Sequence, residues 1–141
     1  MIRAALACLL LQSGTPAPAA SPIAGQWTNQ PAENMTVRID RCGAVLCGRV
    51  TDASPRARAE AASAGTPQLI GAELMSGLEP AGERSWRGRF FVPQFNLRGK
   101  ATVRLVGADA LDIHGCALAG LLCRTQRWTR VVPAPAETAG R

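Results

Sequence analysis

Five cysteines carry the clearest chemistry in this chain, because thiols can form disulfides or bind metal ions. Cys8 lies in an apolar N-terminal stretch, and the other four form two close pairs, Cys42 with Cys47 and Cys116 with Cys123. Four cysteines allow three pairings, and the two local ones require only short hairpins. Crossed pairs and free buried thiols remain alternatives. The spacings are not the two-residue spacing of zinc ribbons, so we expect no metal site.

The other groups capable of chemistry are scattered. His114 is the only histidine, and it lies two residues from Asp112. A histidine with one carboxylate can act as a general base, but it is more often a polar residue on a strand, and we favour that interpretation. The sequence has no serine in a nucleophile elbow, no phosphate-binding glycine loop and no carboxylate pair of the glycosidase kind. We therefore expect no catalytic residue, no cofactor and no enzymatic activity.

The N-terminal residues are typical of a secretory signal peptide. Arg3 provides the positive charge, residues 4–11 form an apolar core, and residues 17–19 form a small-residue cleavage site. The apolar run is shorter than the roughly 20 residues of a transmembrane helix. We predict a signal peptide over residues 1–19 and a periplasmic or secreted protein, with lipoprotein processing at Cys8 as the weaker alternative. Four cysteines then remain, an even number that favours disulfides in an oxidising compartment.

Short stretches of alternating apolar and polar residues predict strands along the rest of the chain. In the cleanest stretch, Met35, Val37 and Ile39 share one face. One long connection, residues 52–68, is alanine-rich and predicts one or two helical turns or a mobile loop. The predicted strands cover residues 23–29, 35–40, 45–50, 69–78, 86–92, 99–106, 111–115 and 124–132.

Strands joined mostly by hairpin-length turns predict one all-β domain over residues 20–132, with a disordered tail over residues 133–141. Such a sheet is antiparallel and up-and-down, and closing into an eight-stranded barrel removes its edges. A two-layer sandwich is the alternative. We favour the barrel because its first and last strands carry an apparent matched pair of tryptophans, Trp27 and Trp128.

The chain is basic, with a formal net charge of +6, and Lys100 is its only lysine. Arginine favours planar anions, so an anionic envelope component is a possible partner, although solvated outward faces explain the charge better. Three phenylalanines and three arginines between residues 87 and 98 resemble a nucleic-acid surface. Strand alternation alone explains that pattern. We expect a monomer with no nucleic-acid partner and no transmembrane segment.

Several motifs resemble, in order, those of a bacterial exported family known as domain of unknown function 2147. The resemblance spans residues 23–131 and implies a lipocalin-like barrel without an established activity. The chain departs from the family pattern at residues 54–64 and 91–99, so polar residues that relatives carry there are not carried over. The motifs are Gly25-x-Trp27, Arg41-Cys42-Gly43-x-x-Leu46-Cys47-Gly48-Arg49, Leu69-Ile70-Gly71, Trp86 with Gly88, Gly115-Cys116, and Arg124-Thr125-Gln126-x-Trp128-Thr129-Arg130.

The resemblance also implies how the barrel is closed. Lipocalin-like barrels open with a Gly-x-Trp motif, here Gly25 and Trp27, and a late arginine covers the indole. The matching cover is Arg127 or Arg130, beside Trp128. An arginine plane over an indole face gains about 0.5–2 kcal/mol, which suits a role in barrel closure.

Two functions of different classes follow from a small exported barrel. In the first, the barrel binds one small apolar or amphipathic ligand, and arginines near the mouth hold an anionic head. In the second, the barrel is filled, and the protein is a structural or interaction module of the cell envelope with a basic outer surface. A measurable cavity favours the first function and a filled core the second. The residues expected to line a ligand site are Met35, Val37, Ile39, Trp86 and Leu105.

Overall fold

A computed structural model describes residues 20–29 and 34–131. The strands are β1 Gly25–Thr28, β2 Met35–Cys42, β3 Val45–Ala53, β4 Glu73–Pro80, β5 Ser85–Val92, β6 Leu97–Val106, β7 Ala110–Ala117 and β8 Leu122–Arg130, and helix α1, Pro55–Ser63, connects β3 to β4. Each strand pairs antiparallel with the next, and β1 also pairs with β8, so the sheet closes into a barrel. The predicted eight-stranded barrel is confirmed, and the two-layer sandwich is wrong. The predicted signal peptide and tail lie outside the described residues.

Strand alternation places the core inside the barrel. Met35, Val37 and Ile39 of β2 are buried, and the residues between them point outward. On β6 the same alternation buries Val103 and Leu105. Burying a side chain of this size contributes about 1.5–3 kcal/mol, so the inward faces of the strands supply most of the stabilisation.

The long connection contains a well-formed helix. Ser54 caps it, because its Oγ accepts a hydrogen bond from the Ala57 backbone N–H at 3.1 Å. Pro55 suits the first turn, where a backbone N–H has no helical partner. The buried side chains of Ala57 and Ala61 join the core. Within the described residues, no helix is both long and apolar enough to span a membrane.

The fourth strand starts later than the predicted residue 69. It begins at Glu73, and residues 69–72 form a turn in which the Ala72 N–H donates to the Leu69 carbonyl at 3.0 Å. Gly71 has a φ of 89°, a left-handed conformation that an extended strand cannot continue through. The apolar run therefore contains a turn followed by a strand.

The barrel has two different ends. At the closed end lie turn 43–44 between β2 and β3 and turn 107–109 between β6 and β7. At the open end lie turn 93–96 between β5 and β6 and turn 118–121 between β7 and β8.

At each end of the barrel, a disulfide links the two strands of one hairpin. Cys42 and Cys47 lie diagonally across the two-residue turn at the closed end, with a Cα–Cα distance of 5.8 Å. Cys116 and Cys123 lie directly opposite each other near the open end, with a Cα–Cα distance of 4.1 Å. The two local pairings are therefore the ones that the fold adopts.

Candidate functional site

The closed end is filled by Trp27. Its side chain is fully buried, and its Nε1 donates a hydrogen bond to the Ile23 carbonyl at 2.9 Å. The guanidinium carbon of Arg130 lies 4.3 Å from the centroid of the Trp27 ring. This is a cation–π contact, and burial of the indole strengthens it because water screens the charge less there.

Arg130 also ties separate segments together across the closed end. Its Nη2 and Nη1 donate to the carbonyls of Pro22 at 2.8 Å and Ala24 at 3.0 Å. Its Nε donates to the Ala108 carbonyl at 3.2 Å. Gly25 makes room for this arginine, because a Cβ there would lie 3.1 Å from Arg130 Nη1, and its φ is 128°. Residues with a side chain disfavour that backbone conformation, so the contact with Arg130 and the backbone conformation both favour glycine here.

The two other residues expected at the closure lie elsewhere. Arg127 points outward because it alternates with the inward-facing Trp128, and it makes two hydrogen bonds to the Asp112 carboxylate, at 2.8 and 3.0 Å. These bonds hold the pKa of Asp112 below its ordinary value. Arg127 is therefore not the cover of Trp27. Trp128 is buried and lines a cavity closer to the open end.

That cavity has a volume of about 190 Å³, and turn 93–96 and strand β8 both contribute to its wall. Most of the wall is apolar or aromatic and comes from β2, β4, β5, β7 and β8. The principal wall residues are Met35, Met75, Phe90, Phe91, Ile113 and Trp128.

Only one of the five expected ligand-lining residues borders this cavity, namely Met35. The other four are buried in the core outside it, because the barrel beneath the cavity is packed side chain against side chain. Sequence alternation identified inward positions correctly without distinguishing the filled part of the barrel from the hollow part. Those four residues are Val37, Ile39, Trp86 and Leu105.

Three polar side chains join the apolar wall. Arg124 and Gln126 of β8 line the cavity because they alternate in step with Trp128. Arg124 is solvent-exposed, and among the described residues its side chain has no ion-pair partner. Gln94 also lines the cavity, and its Oε1 is buried without a hydrogen-bond partner in the described structure. A buried, unpaired amide oxygen costs about 1–3 kcal/mol, so a ligand that donates a hydrogen bond would relieve that cost.

The missed residues had a signal in the sequence. If Trp128 faces inward, then Arg124 and Gln126 must face inward as well, because side chains alternate with a period of two along a strand. The expectation of arginines near the mouth named no residue, so it did not identify Arg124.

A glycine shapes the hollow region. The ring of Phe90 lies against Gly115 of β7, where an added Cβ would lie 2.7 Å from the ring edge. A side chain at this position would push the ring into the cavity. The absence of a Cβ therefore helps to keep the cavity open.

Two groups of side chains of the types that bind metal ions also occur in the described structure. His114, Cys116 and Cys123 have potential ligand atoms within 4.8 Å of one another, as do Cys42, Cys47 and Glu73. Each group contains both sulfurs of a disulfide, and oxidised sulfurs are not the thiolates that bind zinc. In the disulfide form, neither group has the chemistry of a zinc site.

Comparison with known proteins agrees with this architecture. The profile of a bacterial family, described as uncharacterized protein conserved in bacteria (DUF2147), matches residues 25–130. The fold is similar to that of protein HP1028 from the human pathogen Helicobacter pylori, which belongs to the lipocalin family. The TM-score is 0.59 at 13% sequence identity, and the match covers 78% of this chain and 83% of HP1028. Comparison with curated proteins finds no match.

Proposed function

The chain belongs to the DUF2147 family of uncharacterised bacterial proteins, and from this premise we propose that it is a non-enzymatic binding module. Its barrel takes one small apolar or amphipathic ligand at the open end. The observation that carries the proposal is the cavity of about 190 Å³, walled mainly by apolar and aromatic side chains. Such walls with a few polar groups are typical of small-molecule sites.

The cavity volume limits what enters. An apolar cavity of about 150 Å³ is enough for a benzene molecule, whereas drug-sized ligands occupy pockets of about 300–1,000 Å³. A volume of about 190 Å³ therefore suits one ring or a short acyl chain. The rest of a larger ligand would lie outside the barrel.

The polar groups favour an amphipathic ligand. Arg124 sets a positive charge at the mouth, and a guanidinium can bind a carboxylate or phosphate with two parallel hydrogen bonds. Gln94 contributes the unpaired Oε1 beside the same cavity. An anionic head at the mouth would pair with Arg124, and an apolar tail would fill the cavity, while a hydrogen-bond donor on the ligand would be needed to pair Gln94 Oε1.

Two disulfides are compatible with an exported protein, and the proposed location is the periplasm. The alternative, an envelope module with a filled barrel, is less well supported because the barrel is hollow at its open end.

Native mass spectrometry of protein purified from the periplasm tests the proposal. We expect an extra mass that disappears on denaturation, and this mass identifies the ligand class. The denatured, unreduced protein should be lighter by the hydrogens that two disulfides lose. Bare protein that stays bare after incubation with lipid extract would rule out the binding module.

A matched pair of variants locates the ligand. Ile113→Trp places an indole in the cavity wall and should reduce binding of an apolar fluorescent probe at least tenfold. Thr102→Trp adds the same side chain at an exposed position of the adjacent strand β6 and should leave binding unchanged. Thermal melts show that both variants fold. Equal binding by the two variants would place the ligand outside the cavity.

A further inference from the structure

The open end carries most of the exposed large apolar side chains in the described structure. Phe95 in turn 93–96 is 71% exposed. Turn 118–121 and the start of β8 carry Leu118, Leu121 and Leu122, which are 63%, 88% and 49% exposed. Single exposed apolar residues are ordinary, but a contiguous group marks an interaction surface. Phe95 and Leu122 both line the cavity, and Leu118 and Leu121 lie in the turn that directly precedes Leu122; we call these four residues the apolar rim.

The backbone holds the apolar rim in place. The Cys116–Cys123 disulfide links the two strands below turn 118–121. Within that turn, Leu118 has a φ of 53°, a left-handed conformation that costs a branched side chain free energy. In turn 93–96 the Phe95 N–H donates to the Val92 carbonyl at 3.2 Å. The two turns therefore project their apolar side chains from braced hairpins.

The two hairpins that carry the apolar rim are basic. Residues 89–100 and 114–125, the two hairpins that carry it, contain four arginines or lysines and neither aspartate nor glutamate. Arg98 is oriented beside turn 93–96, because it stacks 4.1 Å from the Phe91 ring centroid and donates to Asn96 Oδ1 at 3.2 Å. The basic residues of the two hairpins are Arg89, Arg98, Lys100 and Arg124.

We propose that the apolar rim docks the open end of the barrel onto an anionic lipid bilayer. Apolar side chains enter the region between headgroups and acyl chains, while arginines and lysine meet lipid phosphates, as in other interfacial proteins. Each basic residue near an anionic surface contributes favourably, and water-exposed apolar area is removed. The same basic charge disfavours a second copy of this surface as the partner, since like charges would face each other. This docking does not depend on the cavity holding a ligand.

Sedimentation with lipid vesicles tests the proposal on the protein as the cell produces it. We expect binding to vesicles of phosphatidylglycerol with phosphatidylcholine, and at least tenfold weaker binding to phosphatidylcholine alone. The double variant Phe95→Ser with Leu121→Ser should lose at least tenfold in vesicle affinity. Its matched control is Ile70→Ser with Val106→Ser, two exposed apolar residues outside the apolar rim, which should bind as the wild type does.

A second pair of variants tests the charge. Arg98→Gln with Lys100→Gln should weaken binding to the anionic vesicles by about tenfold. Arg38→Gln with Arg49→Gln removes the same charge from exposed positions on β2 and β3 and should have little effect. Equal losses in test and control variants would overturn the proposal, as would a failure to bind anionic vesicles. A concentration-dependent dimer that Phe95→Ser with Leu121→Ser abolishes, measured by light scattering, would instead assign the surface to contact between copies.

Discussion

The same eight strands form a filled interior at one end of the barrel and a hollow interior at the other. At the closed end, Trp27 fills the interior and Arg130 lies across its ring, hydrogen-bonded to three backbone carbonyls. At the open end, the interior contains a cavity, and Arg124 stands at its mouth without an ion pair in the described structure. Both arginines belong to β8, six residues apart and on the same face of the strand.

The difference shows that an arginine's role depends on what its strand position faces. Arg130 meets an indole and carbonyl oxygens, so each of its three side-chain nitrogens donates a hydrogen bond within the protein and it stabilises the fold. Arg124 meets an apolar cavity open to water, so its donors remain available to a ligand. Stability should therefore depend on the closed end, and ligand affinity on the open end.

The largest expected effect comes from Trp27→Ala. Emptying a fully buried tryptophan site costs about 3–5 kcal/mol in the free energy of unfolding. The comparison variant is Phe95→Ala at the open end, where an exposed side chain should change stability by about 0.5 kcal/mol or less. Urea denaturation followed by circular dichroism measures both. Similar losses in the two variants would break the distinction between the ends.

The two disulfides give a sharper comparison, because both close short loops. Serine pairs at Cys42 with Cys47, or at Cys116 with Cys123, should each lower the free energy of unfolding by about 2 kcal/mol. Only the open-end pair should also weaken ligand binding, since Cys123 lies between the cavity residues Leu122 and Arg124. Denaturation curves and probe titrations are measured on the same samples. Weaker ligand binding in the closed-end pair would contradict this assignment.

Much of the barrel was predictable because its signals are local. Alternation and glycine or proline turns located the strands, and two short cysteine spacings matched hairpins that exist. The start of β4 was not predictable, because an apolar run does not reveal that Gly71 adopts a left-handed conformation. The full length of α1 was also hidden, since Ala57 and Ala61 carry little apolar bulk and become informative only when packed.

The site was less predictable because a cavity is a property of volumes from several strands. Alternation shows that Val37 and Ile113 both face inward, yet only Ile113 borders empty space. That outcome depends on Phe90 lying against Gly115, a contact between β5 and β7 that no local pattern encodes. Conversely, Arg124 was accessible to sequence reasoning through its alternation with Trp128.

Removing the charge at the mouth should affect one class of ligand. Arg124→Gln should weaken binding of a carboxylate-headed apolar probe by about tenfold, the loss of roughly one charge-assisted hydrogen bond. A neutral probe with the same apolar part should bind as before. The control, Arg104→Gln, removes a charge from an exposed position of β6 near the closed end. Fluorescence titration measures all three proteins, and an equal loss for both probes would assign Arg124 to the structure of the wall.

The smallest effect belongs to the Asp112–Arg127 ion pair, which lies on the outer face and serves neither end. Hydrogen bonds from Arg127 lower the pKa of Asp112 in the folded protein. The unfolded chain therefore takes up this proton more readily, and the pair's contribution is present above the unfolded pKa and lost as the pH falls through the folded one. In Asp112→Asn, the melting temperature should fall less steeply as the pH is lowered through this range. The control, Glu83→Gln at an exposed turn, should keep the acid dependence of the wild type. Its ligand affinity at neutral pH should equal that of the wild type, because Asp112 does not line the cavity. A change in affinity would mean that the outer face of β7 and β8 controls the open end, and the two ends would then not be independent.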